Sequence, residues 1–144
     1  MYDIYFKTIS PTAHVPTKAH EDDAGFDMYA SESVLLRAHE FAAVPTGICI
    51  QLPPGTEAQV RPRSGLAMKN GVTVLNSPGT VDAGYRGELR VILINHSSVD
   101  FQITPGMRIA QMIIAPVYPA RFLESDELDS SDRGSNGFGS SGVR

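Results

Sequence analysis

Cysteine is almost missing from this chain: Cys49 stands alone among 144 residues, so no disulfide can close within it. That suits a reducing compartment without requiring one, and a place as core filler is expected for Cys49. Positive charge is not in excess either, since 12 Lys and Arg against 16 Asp and Glu leave a formal net charge of −4. Such a balance gives no electrostatic footprint for nucleic acid or an anionic membrane, and neither partner is expected. Any phosphate must then be met locally, by arginines, backbone amides or a metal. No apolar run approaches the about 20 residues needed to span a bilayer. The opening Met1-Tyr2-Asp3-Ile4 lacks the basic and apolar regions of a signal peptide, so a soluble, cytoplasmic protein is expected. His14, His20, His39 and His96 are scattered and no Cys-x-x-Cys pair exists, which argues against a zinc-dependent deaminase. No internal repeat is present.

What the chain does have is turn chemistry and β-formers. Its 13 Gly and 10 Pro, with plentiful Val and Ile, favour short strands joined by tight turns. A domain of this size buries roughly 68–70% of its unfolded surface, enough for one sizeable core. The strand-like runs are Ile4–Lys7, Val34–Leu36, Phe41–Pro45, Gly47–Leu52, Thr56–Val60, Glu88–Asn95 and Arg108–Val117. They predict an all-β sandwich or barrel. Val91-Ile92-Leu93-Ile94 and Met112-Ile113-Ile114-Ala115 are apolar on both faces, which places them at sheet centres or against another subunit. One short helix is predicted over 65–70, with Ser64 capping its first turn and Gly71 ending it. From Glu124 to Arg144 the chain is rich in Ser, Asp and Gly and cannot build a core of its own. The layout expected is therefore a β body over 1–123 and an arm over 124–144.

Four segments carry candidate chemistry, each with a plainer competing reading. Arg61-Pro62-Arg63-Ser64-Gly65 precedes the helix, where unpaired amides and a guanidinium suit a phosphate; a capped surface helix with solvated arginines is the alternative. Asn76 to Gly87 lies between the apolar run Val72–Leu75 and the strand Glu88–Asn95, so it reads as an elaborate hairpin. There Gly79, Gly84 and Gly87 permit close backbone approach, while Asp82 and Tyr85 have ordinary turn and packing roles as alternatives. Asp22-Asp23-Ala24-Gly25-Phe26-Asp27 offers three carboxylates, which suit a turn or a magnesium site. The arm segment Arg133 to Gly142 joins a guanidinium, glycines, hydroxyls and Phe138, able to wrap an anion and stack on a base, or to serve as a linker.

In order and spacing, Ala24 to Ala30, Pro62-Arg63-Ser64-Gly65-Leu66-Ala67, Gly79 to Gly87, Pro105-Gly106-Met107-Arg108-Ile109-Ala110-Gln111 and the Gly-rich tail resemble the five motifs of trimeric dUTPases. The resemblance covers nearly the whole chain. It implies a distorted β-barrel or jelly-roll protomer and a homotrimer with three shared active sites. Motifs one, two and four would come from one subunit, the hairpin from a second and the tail from a third. The implied reaction is hydrolysis of dUTP to dUMP and pyrophosphate, which limits uracil incorporation into DNA and supplies dUMP for dTMP synthesis. Asp82 would be the general base for the attacking water. Mg2+ would be held mainly by substrate phosphates and waters, with Asp27 an outer-shell partner at most. The hairpin around Asn76, Thr80 and Val81, running to Arg90, would read uracil, and Tyr85 would pack under the sugar and exclude a 2′-hydroxyl. Arg63, Ser64, Gly65 and Gln111 would hold the phosphates. Arg133 would close on the γ-phosphate and Phe138 over the base.

Two other functions fit parts of this pattern. A dCTP deaminase shares the implied scaffold and triphosphate site, but Asp82 with Tyr85 three residues on, and the full tail, favour the diphosphatase. A non-catalytic nucleotide-binding module would be marked by loss of Asp82 or of the tail, and both are present.

Overall fold

The computed structural model describes residues 1–142. Ten strands and one helix follow in the order β1 (Tyr5–Thr8), β2 (Phe26–Tyr29), β3 (Val34–Leu36), β4 (Phe41–Gln51), β5 (Thr56–Arg61), α1 (Ser64–Asn70), β6 (Val72–Val74), β7 (Gly79–Asp82), β8 (Glu88–Asn95), β9 (Phe101–Ile103) and β10 (Arg108–Pro116). They assemble into two four-stranded sheets, ordered β1-β4-β8-β6 and β2-β10-β5-β7, and a two-stranded strip β3-β9. Every named strand pair is antiparallel. This is the all-β, jelly-roll kind of barrel that the turn-rich composition and the resemblance lead one to expect.

Alternation builds the core. In β5, Thr56, Ala58 and Val60 face inward while Glu57, Gln59 and Arg61 face out. Met28, Val44, Val91, Leu93, Ile103 and Ile109 meet between the sheets at 1% exposure or less. The two runs that are apolar on both faces do lie on central strands: β8 is flanked by β4 and β6, and β10 by β2 and β5. Their outward residues Ile92, Ile94 and Ile113 remain half-buried in the single chain, while Ile114 packs against the core.

Several details differ from the sequence expectations. Phe41–Pro45 and Gly47–Leu52 form one strand whose register shifts between Pro45 and Cys49. Gly47 sits in that irregularity at φ +68, and a Cβ there would come within 2.8 Å of the Ser10 side chain. Cys49 is not core filler; it is half-buried, outside the apolar cluster, and pairs across the sheet with Lys7 and Glu88. Ser64 does not cap the helix. Arg63 holds the cap position in extended conformation with no side-chain cap bond, and Ser64 is the first helical residue. Gly71 ends the helix in the left-handed region, as expected. β2, β6, β7 and β9, of three or four residues each, are strands beyond those the sequence runs indicate.

The Asn76–Gly87 segment is more than a hairpin. β6 and β8 pair in one sheet, while β7 between them crosses over to pair with β5 in the other. The candidate Asp82 thus sits at the end of an edge strand. Beyond Pro116 the described chain forms no strand or helix and is almost wholly exposed; the last two residues of the arm, 143 and 144, lie outside the described residues. No helix among the described residues is long and apolar enough to cross a membrane.

Candidate active site

Two clefts gather the candidate residues, and they share none. The first, of about 320 Å³, is lined by Arg63, Ser64, Gly65 and Gln111 together with Asp27, Arg108 and the Asp23-Ala24-Gly25 turn. The second, of about 370 Å³, is lined by Thr80, Val81, Asp82, Tyr85 and Arg90, with Glu88 and the apolar Val60, Leu89 and Ile92.

The first cleft is polar and built on charge pairing. Asp27 on β2 lies directly opposite Gln111 on β10, so both side chains share the outer face of that sheet. The Asp27 carboxylate takes Arg63 Nε on one oxygen at 2.9 Å and Arg108 Nη1 on the other at 3.3 Å. Gln111 Nε2 donates to the Pro62 carbonyl at 2.9 Å, which fixes the carboxamide beside Arg63. Glycine at 25 leaves room for the Gln111 carboxamide, because a Cβ would run into Gln111 Oε1 and come within 3.2 Å of Ile113 Cδ1.

The second cleft is an apolar slot with polar edges. The Tyr85 hydroxyl donates to the Glu88 carbonyl at 3.0 Å, and the ring lies over Gly87, where a Cβ would meet Tyr85 Cζ at 2.6 Å. Glycine at 87 therefore lets the ring lie flat against the strand entrance. The Glu88 carboxylate accepts Arg90 Nε at 3.2 Å and the Gly47 amide at 3.0 Å, tying the floor of this cleft to the irregularity in β4. Asp82 is exposed, and its backbone carbonyl accepts the Tyr85 amide at 3.0 Å to close the turn between them.

Asp27 and Asp82 occupy opposite edges of one sheet, β2 and β7. Three strand spacings of about 4.8 Å separate them across the sheet, and the rows through Arg61 and Glu57 are about 13 Å apart along it, giving roughly 19 Å in all. Three sequence candidates belong to neither cleft. Asn76 packs its amide against Gly79 beside the second cleft. Arg133 and Phe138 are exposed on the arm, where Arg133 Nε donates to the Asn136 carbonyl at 2.9 Å.

Sequence reasoning assigned no role to Arg108 and Glu88, although both line clefts. Glu88 and Arg90, two apart on a strand, signal a same-face ion pair. Arg108 carried no such signal, because its outward position depends on an irregularity in β10. Among the described residues no three or more His, Cys, Asp or Glu side chains cluster as a metal cage.

Comparison with known proteins bears on both clefts. The dUTPase family matches residues 11–142, a span that contains them. The deoxyuridine 5′-triphosphate nucleotidohydrolase of Clostridium acetobutylicum is 54% identical over 144 residues, covering all of this chain and 99% of the relative. That of Clostridioides difficile is 54% identical over 142 residues, covering 99% of each. Among solved structures, a Staphylococcus bacteriophage 80alpha dUTPase with dUpNHpp superposes with a TM-score of 0.91 at 29% identity, covering 98% of this chain and 99% of that one. A dUTPase from phage phi11 of S. aureus, described with a structural Mg(II) ion, shares the fold at a TM-score of 0.83 and 24% identity, covering 89% of this chain and 99% of that one. A family match over nearly the full length, joined to relatives of the same size at half identity, leaves no room for a different assignment, and the chain belongs to the dUTPase family, hydrolases that act on the triphosphate of dUTP.

Proposed function

We propose that this chain cleaves dUTP to dUMP and pyrophosphate in sites shared between copies of itself, with Asp82 as general base. The observation that carries the shared site is the separation of the two clefts. If Asp82 directs a water onto the α-phosphorus, the reacting atoms must come within about 3–3.5 Å, and the phosphate cradle must lie alongside. The chain's own Arg63 and Gln111 sit near the row of Asp27, roughly 19 Å from Asp82 by strand spacing. A cradle from a neighbouring copy removes the conflict, which supports the homotrimer implied by the motifs.

The proposed step balances simply. An Asp82 oxygen accepts the water proton as the water oxygen bonds to the α-phosphorus; the bond to the bridging oxygen breaks, and its electron pair leaves with pyrophosphate. Asp82 suits this role because it is exposed at the mouth of its cleft. Backbone groups of Thr80 and Val81, with Asn76 and Arg90 flanking, would pair with uracil. Cytosine carries an amino donor where uracil has O4, so one backbone donor would be left unpaired, a mismatch worth about 10⁴ or more in discrimination. Tyr85, fixed by its bond to Glu88, would lie under the sugar and leave no room for a 2′-hydroxyl. Arg63, Ser64, Gly65 and Gln111 would hold the phosphates, while the arm over 124–144 would bring Arg133 and Phe138 to close a partner's site and exclude bulk water.

The donor set fits magnesium held by substrate rather than by protein. No cage of carboxylates exists among the described residues, and each Asp27 oxygen already accepts an arginine. Bound on triphosphate oxygens and waters, the ion would lower the charge that an approaching nucleophile meets. Asp27 would then contact it through water at most. In a cytoplasmic setting the reaction would keep uracil out of DNA and supply dUMP for dTMP synthesis.

The test is incubation with magnesium and, separately, dUTP, dCTP, dTTP and UTP, with products resolved by chromatography. Conversion of dUTP alone to dUMP and pyrophosphate is expected; conversion of dCTP to dUTP or dUMP would move the chain to the deaminases. Asp82→Asn should lose roughly 10²–10⁴ in kcat while still binding dUTP, and near-normal turnover would remove Asp82 from the role. Co-expressing Asp82→Asn with Arg63→Gln should restore activity that neither has alone, since mixed assemblies would contain intact sites. No recovery from an assembled mixture would refute sharing.

A further inference from the structure

We propose that Arg86 is a positioning residue for the hydrolysis, bracing the turn that joins Asp82 to Tyr85 so that one guanidinium sets both the aim of the base and the seat of the sugar. The inference rests on the roles proposed for Asp82 and Tyr85 and goes beyond them, because Arg86 lines neither the Asp82 cleft nor the Arg63 cleft. It lines two other clefts instead, which also share Tyr5 and Gln51. From there its Nη1 donates to the Ala83 carbonyl at 2.6 Å and to the Tyr85 carbonyl at 2.9 Å. Arg86 forms no ion pair among the described residues, although Asp3 lines one of the same clefts. An exposed arginine that directs its donors to two carbonyls of its own turn, and not to a carboxylate, is shaping backbone.

The turn needs such a brace because little else holds it. Asp82, Gly84, Tyr85 and Arg86 are all exposed, and a Cβ on Gly84 would find nothing within 4 Å. Of the segment from Asp82 to Arg86, Ala83 packs against the core. The side-chain bonds of the turn come from Tyr85 and Arg86 and none from Asp82, so the direction of the Asp82 carboxylate follows from its backbone. On its N-terminal side that backbone is held by pairing with Glu57; on its C-terminal side it depends on the turn. The Tyr85 amide closes the turn on the Asp82 carbonyl at 3.0 Å, and Arg86 then ties the carbonyls of 83 and 85. An exposed turn with few packed contacts opens easily, and every opening moves the carboxylate. Misplacing a reacting group by about 1 Å can cost on the order of 10² in rate. The Tyr85 ring has a second anchor, its hydroxyl on the Glu88 carbonyl, whereas the Asp82 carboxylate has none. Loss of Arg86 therefore falls harder on turnover than on sugar selection.

The experiment compares wild type, Arg86→Ala, Arg86→Lys, Asp82→Asn and the double variant Arg86→Ala with Asp82→Asn, each as the assembled protein. It reads steady-state hydrolysis of dUTP and UTP with magnesium, calorimetric binding of the non-hydrolysable dUpNHpp, and Tm. Arg86→Ala is expected to lower kcat for dUTP roughly ten- to a hundredfold and to raise UTP hydrolysis relative to dUTP, while dUpNHpp binds within about threefold of wild type. Arg86→Lys should recover part of kcat, because an ammonium keeps charge and donors without the planar geometry. On the Asp82→Asn background the loss caused by Arg86→Ala should shrink below about threefold, since no base remains to be aimed. An arginine that only stabilised the fold would instead lower Tm and impose the same proportional loss on both backgrounds. Unchanged kcat in Arg86→Ala overturns the brace, as does a full-sized loss on the Asp82→Asn background. Binding of dUpNHpp weakened more than about tenfold also overturns it, by making Arg86 a ligand contact. Near-normal turnover by Asp82→Asn is a separate failure, that of the base assignment itself, and takes the brace with it.

Discussion

Gly25→Ala should damage phosphate binding from a position that touches no phosphate. A Cβ on residue 25 would collide with Gln111 Oε1 and press on Gln111 Cβ and Ile113 Cδ1, each 3.2 Å away. The carboxamide is the far end of a flexible side chain and can swing aside, but doing so breaks the 2.9 Å bond from Gln111 Nε2 to the Pro62 carbonyl, a net loss of about 1 kcal/mol. The two carbon contacts must each give by a few tenths of an ångström within a paired strand, which adds about 1 kcal/mol or more. A destabilisation of about 2 kcal/mol corresponds to a Tm lower by roughly 4–8 °C for a domain of this size. The functional effect is larger. A hydrogen bond from Gln111 to a charged phosphate is worth about 1.5–3 kcal/mol, so its loss should raise KM for dUTP by roughly ten- to a hundredfold. Turnover at saturation should be nearly retained, because Asp82 lies in the other cleft. The assay is steady-state hydrolysis of dUTP with magnesium, alongside thermal unfolding at matched protein concentration. Gly84→Ala serves as the stability control, since nothing lies within 4 Å of a Cβ there. A Gly25→Ala enzyme with wild-type KM would refute the placement of Gln111 in the phosphate site.

Three further outcomes follow from the same geometry. Asn95 is fully buried and bonds the Leu36 and Val99 carbonyls and the Ser97 amide and hydroxyl, so Asn95→Ala should cost about 3 kcal/mol, or roughly 6–12 °C in Tm, chiefly by taking the side-chain partner from the Leu36 carbonyl and the Ser97 amide, since the Ser97 hydroxyl and the Val99 carbonyl still bond each other; a loss under about 1 kcal/mol would show that water replaces the side chain freely. Tyr85→Ala should raise UTP hydrolysis relative to dUTP, and an unchanged ratio would remove the ring from sugar selection. Deleting residues 130–144 should lower kcat/KM severely at unaltered Tm, since the described part of that segment is exposed and outside the core; undiminished kcat/KM would contradict a closing arm.

What the sequence determined by itself is local or ordinal. Strands Val34–Leu36 and Glu88–Asn95 are legible because their apolar patterns run between clear turn signals, and Gly71 marks the helix end because only a left-handed residue terminates it there. The ordered motifs carried the family and the names of the candidate residues. Tertiary structure decided what depends on pairing partners far along the chain. Nothing in Gly79 to Asp82 announces that β7 leaves its neighbours to pair with β5, because register is set by the opposite strand. The bulge that turns Arg108 outward is likewise invisible in a run whose apolar residues do not alternate, and so is its convergence with Arg63 on Asp27, since the three residues are distant in sequence. The separation of the cleft lined by Arg63 and Gln111 from Asp82 is a property of strand order and register. It supports a site completed by a second copy, because two edges of one sheet are held apart by the strands between them.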